Sequence, residues 1–322
     1  MSEATTGWPV GIIEPRMRVI SDNDYCGDPD GLVQLAHHYL CPGVDLRLVI
    51  GGQVPAWDAA WSPTCAEGSV AQARHVAELA GRPEVAIVAG SSAAMDDPAH
   101  PRRTDAAEAI VAEAMRDDTT VPLVVACGGS LTNIASAWLM EPRIADRVTV
   151  VWIGGREYDD LSPPSGAPGL EYNTSIDVVA AQVVFNRSDL DLWQVPRSAY
   201  TQVIASRSEM LARLRPHGSL GEHLFDALGR MAERMPSWGL HLGETYVLGD
   251  SPLVLLTALL SSFAAAPSSC RSVVRPRPHL LTSGDYDTTV DGPPVRVFTQ
   301  LDTRLLLEDL YAKLALHAAA DG

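Results

Sequence analysis

Arg18-Val19-Ile20-Ser21-Asp22-Asn23-Asp24-Tyr25-Cys26-Gly27-Asp28-Pro29-Asp30-Gly31 is the stretch on which the reading of this chain turns. A short apolar run ends on a carboxylate, and a turn rich in Asp, Gly and Pro follows. Beyond it Leu32, Leu35, Ala36, Tyr39 and Leu40 recur at helical spacing until Pro42-Gly43. That is a strand, a polar turn and a helix. Downstream the same unit repeats. Strands are expected over 46–50, 85–88, 123–126 and 148–153, and each runs into glycine: Gly51-Gly52, Gly90, Gly128-Gly129 and Gly154-Gly155. Helical spacing covers 69–80, 105–115 and 131–139 between them.

Short buried strands alternating with helices predict an α/β fold, a mostly parallel, Rossmann-like central sheet with helices on both faces. Ligands in such sheets sit outside the carboxyl ends of the strands, where the Gly and Asp clusters fall here. Residues 158–169 read as a Pro/Gly/Ser-rich loop at a pocket edge. Residues 198–249 read as a helical cap, and 278–299 as strands before a closing helix. The expected organisation is one domain over 18–322 behind an extension of residues 1–17.

Composition narrows the function. The 322 residues hold 24 Lys+Arg against 40 Asp+Glu, a net charge of −16. A nucleic-acid binder needs a Lys/Arg stripe to displace counterions, and an anionic membrane surface repels such a chain. Five scattered cysteines without a CxxC give neither a disulfide framework nor a zinc site. The start of the chain lacks the basic-then-apolar pattern of a signal peptide, and 252–266 falls short of the roughly 20 residues of a membrane span. A cytoplasmic protein is expected.

Asp22, Asp24, Asp28 and Asp30 fall within nine residues. Carboxylates so close repel one another, and a hard divalent cation or a polar ligand relieves them. The alternative is a solvated acidic turn in which Asp30 caps the next helix. EF-hand and acylphosphate-forming patterns both fail on their further elements. Thr132 and Asn133 read as an N-terminal helix cap.

At this point the chain resembles the nucleoside hydrolase family. Asp22-x-Asp24 with Asp28-Pro29-Asp30 resembles its opening DxDPGxDDA, with one proline inserted. Gly51-Gly52-Gln53 resembles its Gly-Gly-Asn turn, and Gly129-Ser130-Leu131-Thr132-Asn133-Ile134-Ala135 its GPLTNIA. Ile153-Gly154-Gly155, Glu171-Tyr172-Asn173 and Gly249-Asp250-Ser251-Pro252 follow in the family's order. The likeness runs over about residues 18–315. It departs at Tyr25-Cys26, where the family has Pro-Gly, and at Gly249, where the family often has a His that protonates the leaving base.

The resemblance implies Ca²⁺-dependent hydrolysis of the N-glycosidic bond of a nucleoside or similar ribosyl compound. By carry-over, Asp24, Asp30, Asp250 and the carbonyl of Gly128 hold the ion, and Asp24 is the general base. Asp28, Gln53, Glu171 and Asn173 bind the ribose. His241 and Tyr246 are candidates for the acid missing at Gly249. Trp238 is a candidate platform for the base, whereas Trp57 and Trp61 read as structural. The resemblance also implies a homo-oligomer, dimer or tetramer, with neither nucleic acid nor membrane as partner. A metal-dependent phosphohydrolase and a non-catalytic sugar-binding relative are the rivals.

Overall fold

The computed structural model describes residues 13–55, 65–162, 169–261 and 268–321. The first half alternates strand and helix: β1 (Arg18–Asn23), α1 (Asp30–Tyr39), β2 (Asp45–Gly51), α2 (Cys65–Leu79), β3 (Ile87–Ala89), α3 (Asp105–Ala114), β4 (Leu123–Cys127), α4 (Thr132–Met140) and β5 (Val148–Ile153). Next come α5 (Tyr172–Ile176), α6 (Val178–Asn186), β6 (Asp191–Val195), α7 (Arg197–Tyr200), β7 (Ile204–Ser206), α8 (Arg207–Arg213), α9 (Gly218–Arg234), β8 (Thr245–Val247) and α10 (Pro252–Leu255). The last part holds β9 (Arg271–Pro276), β10 (His279–Leu280), β11 (Tyr286–Asp287), β12 (Pro294–Gln300) and α11 (Thr303–Asp321).

Eight strands form one sheet in the order β3-β2-β1-β4-β5-β6-β12-β9. All neighbours are parallel except β9, which pairs antiparallel with β12. Alternate side chains of each strand leave opposite faces, and the core divides accordingly. Val19, Val49, Val124 and Val151 pack on one face with Leu35 of α1, Val76 of α2 and Leu310 of α11. Ile20, Ile50, Val125 and Val150 pack on the other with Ile110 of α3, Ile134 of α4 and Phe185 of α6. With both faces covered, the strands read as near-continuous apolar runs, as parallel sheets require.

β1 sits where the strand order reverses: the chain steps outward to β2 and β3, then returns to β4 on the other side. The carboxyl ends of β1 and β4 therefore part at a crevice, the usual ligand position in open α/β sheets. Asp24–Asp30 and Gly128 lie at that edge.

The structure departs from the sequence reading in several places. Residues 198–249 are largely helical but also contain β7 and β8, paired antiparallel with Ala205 opposite Tyr246. Thr132 and Asn133 are the first residues of α4 rather than its cap; Leu131 holds the cap position, with no side-chain capping bond. Of the 158–169 loop, residues 163–168 lie outside the described residues, and Tyr158 is buried against Tyr286. Among the described residues no helix is long and apolar enough to cross a membrane.

Candidate active site

At the crevice a cavity of about 240 Å³ is walled by Asp24, Asp28, Asp30, Glu171, Asn173 and Asp250, together with Gly128, Tyr200 and Gly249. Five carboxylates thus meet from three distant parts of the chain. The turn after β1 supplies Asp24, Asp28 and Asp30. The start of α5 supplies Glu171 and Asn173, and the turn before α10 supplies Asp250.

Local structure fixes each group. Glu171 is the N-cap of α5: its Oε2 accepts from the Thr174 N–H at 3.0 Å and its Oε1 from the Asn173 N–H at 3.2 Å. The same carboxylate accepts from the Gly155 N–H at 2.8 Å, which ties α5 to the end of β5. Asn173 donates to the carbonyls of Gly128 at 2.7 Å and Ile153 at 2.8 Å. Asp30 opens α1 without capping it; its Oδ2 instead accepts the Asp250 N–H at 3.0 Å. Asn23 donates to Asp250 Oδ2 at 2.9 Å. A Cβ at position 128 would overlap that Asn23 carboxamide, so the close approach of β4 to β1 requires glycine. Two tyrosines hold two more acids: Tyr246 donates to Asp28 Oδ1 at 2.7 Å and Tyr200 to Glu171 Oε1 at 3.0 Å.

Charge is crowded here. Burial, then the neighbouring Asp250 and Asp28, hold the Asp30 carboxyl well above the usual carboxylate range. Burial raises Asp250 to about 7 against the opposing hydrogen bond from Asn23. Beneath the site Asp22 is buried and pushed up to about 7 by desolvation, although Asn133 donates to both its oxygens at 3.1 Å. A buried like-charged group is relieved by a proton or by a cation.

The donor set suits a hard divalent ion, being oxygen only: three carboxylates and a carbonyl facing one cavity. Asp24, Asp30 and Asp250 nonetheless stand further apart than a closed ligand shell. Among the described residues the one group of three His, Cys, Asp or Glu ligand atoms within 4.8 Å of each other is His37, Cys41 and Asp309. That cluster lies between α1 and α11 and already holds a cation, because the Lys313 ammonium contacts both Cys41 and Asp309.

Seven of the residues singled out in the sequence line this cavity: Asp24, Asp28, Asp30, Gly128, Glu171, Asn173 and Asp250. Gln53 is buried but does not line it, since its amide donates to the Thr132 hydroxyl at 3.2 Å. His241 is exposed beyond the left-handed turn at Gly239 and is not in the wall. The Trp238 side chain, Trp57 and Trp61 lie outside the described residues. Sequence reasoning missed Asn23 and Tyr200. The short helix α7 that follows β6 falls at the same sheet edge as the other turns and ends on Tyr200, a signal that needed β6 to be recognised. A larger cavity of about 390 Å³ lies behind the acidic turn, lined by Tyr25, Cys26 and Gly27 with Arg230 and Arg234 of α9. It carries no carboxylate, so the smaller one is the candidate for chemistry.

The inosine-uridine preferring nucleoside hydrolase family model matches residues 48–306. The chain belongs to that family. An inosine-uridine preferring nucleoside hydrolase of Crithidia fasciculata is 48% identical over 67 residues, which span 21% of this chain and 19% of that relative. Among solved structures, a plant nucleoside hydrolase superposes with a TM-score of 0.69 at 20% identity, covering 94% of this chain and 99% of the other. A purine-preferring ribonucleoside hydrolase from Gardnerella vaginalis gives 0.67 at 18% identity, covering 94% and 99%. These likenesses establish the nucleoside hydrolase fold, and the acidic crevice lies at the carboxyl edge of this chain's sheet.

Proposed function

We propose that the protein hydrolyses the N-glycosidic bond of a nucleoside, releasing sugar and base, with a calcium ion held by Asp24, Asp30, Asp250 and the Gly128 carbonyl. One observation carries this reading: the sheet reversal brings these groups and the sugar-binding candidates Asp28, Glu171 and Asn173 to a single cavity. When bound, the ion offsets the carboxylate charge and makes a neighbouring water more acidic. Asp24 accepts the proton of the attacking water as general base. Positive charge develops on the sugar ring as the bond to the base breaks, and the surrounding carboxylates favour it. Asn173 keeps the Gly128 carbonyl aimed at the cavity, while Tyr246 and Tyr200 fix the rotamers of Asp28 and Glu171.

Among the described residues no lysine or arginine lines the cavity, so a transferring phosphoryl group would find no side-chain cation there. That disfavours a phosphohydrolase. A cytoplasmic homo-oligomer acting as one domain over 18–322 completes the reading. Incubation with purine, pyrimidine and modified nucleosides, with and without chelator, tests it. Free base and reducing sugar, lost on chelation, are expected. Tight binding without turnover would instead make the chain a sugar-binding relative.

A further inference from the structure

We infer that Tyr200 is a substrate-contacting residue that fills the wall left open at Gly249 and reads one hydroxyl of the sugar. The inference rests on the hydrolase reading above. Tyr200 ends α7, just past the carboxyl end of β6, and its ring crosses the crevice toward the turn before α10. A Cβ added at position 249 would lie 3.2 Å from Tyr200 Cδ2 and 3.4 Å from Asp30 Oδ2. The ring therefore borders the space into which a side chain at 249 would project, and a Cβ there would press on the Tyr200 ring, which would have to give by a few tenths of an ångström.

The far end of the ring is chemically directed. The phenol donates to Glu171 Oε1 at 3.0 Å, while Glu171 Oε2 is taken by the Gly155 N–H, the Thr174 N–H and the Thr174 hydroxyl. Burial and the adjacent Glu171 hold the phenol well above its ordinary range, so it stays protonated and its donor direction is fixed. A phenol that donates one bond keeps acceptor capacity on its oxygen, and Tyr200 lines the cavity. The ligand group that matches is a hydroxyl that donates to Tyr200 and lies beside Glu171. Neither His241, which is exposed, nor Tyr246, whose hydroxyl is on Asp28, stands in that space.

The test compares wild type and Tyr200→Phe on one riboside and on its 2′-, 3′- and 5′-deoxy analogues with the same base. Loss of one hydrogen bond predicts about a 10-fold drop in kcat/KM on the riboside. On the single analogue that lacks the partner hydroxyl the drop should be under about 2-fold. An equal drop on all four substrates would mean a structural role only and would overturn the contact. Gly249→Ala is made alongside, in wild type and in Tyr200→Ala. The wall requires a loss in wild type that shrinks when the ring is gone, and independent, multiplying effects would overturn it. Absence of turnover by wild type on every riboside defeats the hydrolase reading, not this one. Ribose itself is then the probe: a rise in Tm with ribose that is lost in Tyr200→Phe supports the contact. The same rise in both proteins, or none in either, overturns it.

Discussion

Asp24 and Asn133 show how differently two buried polar residues can be used. Asp24 faces the cavity, and Asp24→Asn should lower kcat by about 10²–10⁴ with Tm nearly unchanged, since a positioned general base is worth that much. Activity within a few-fold of wild type would remove it from the mechanism. Asn133 never reaches the cavity. Its amide donates to both oxygens of buried Asp22, and its carbonyl oxygen accepts from the Ser91 N–H at 3.0 Å, joining β1 to the turn after β3. Asn133→Ala leaves a buried carboxyl without those donors, so a loss of about 1–3 kcal/mol in urea unfolding is expected. His241 belongs with neither. From its exposed place outside the wall, His241→Ala should change kcat/KM by under about 3-fold for good and poor leaving bases alike. A loss that grows as the leaving base becomes poorer would make it the acid.

Among the elements, α1 links the acidic turn to the rest of the fold. Asn23 donates to Gln34 Oε1, and the Gln34 amide in turn meets Ser21 Oγ and His38 Nδ1. His38 Nε2 meets Thr257 Oγ1 at 2.9 Å. With Gln34 donating to Nδ1, the ring is neutral and its proton sits on Nε2. Protonation would set an N–H against the Gln34 amide, and burial, then His37 and Lys313, lowers the His38 pKa from 6.5 to about 3. Between those values the unfolded chain binds the extra proton and the folded one does not. This contribution to stability is therefore intact above about pH 6.5 and is lost as pH falls toward 3. Urea midpoints at pH 7.5 and pH 5 should fall more for wild type than for His38→Gln; equal falls would contradict this account.

The elements also show why only part of the site was legible. The motifs before α1, α4, α5 and α10 are local sequences, so the residues at strand ends could be read directly. Asn23 and Tyr200 owe their roles to contacts with Asp250 and Glu171, far away in sequence. The β7–β8 pair that delivers Tyr246 to Asp28 has only three residues per strand, too short for an alternation signal. Gln53, at a motif position, is turned to Thr132 by packing that no local pattern records.

At the scale of the molecule, the sheet reversal at β1 makes one cavity out of separate acidic turns, and burial on both faces holds that edge in register. Ile20 is fully buried against α3 and α4, so Ile20→Ala should cost about 2–5 kcal/mol. The protein as a whole carries −16 and concentrates five carboxylates in that cavity, which favours a divalent cation over any anionic ligand. The most direct test is the rate of reducing-sugar release from a nucleoside by metal-stripped protein as Ca²⁺ is added back, in wild type and in Asp250→Asn. A saturable rise in wild type, with a weakened or flat response in the variant, is the result predicted. Full wild-type turnover by the stripped protein before any Ca²⁺ is added, or the same response to Ca²⁺ in both proteins, would contradict the account.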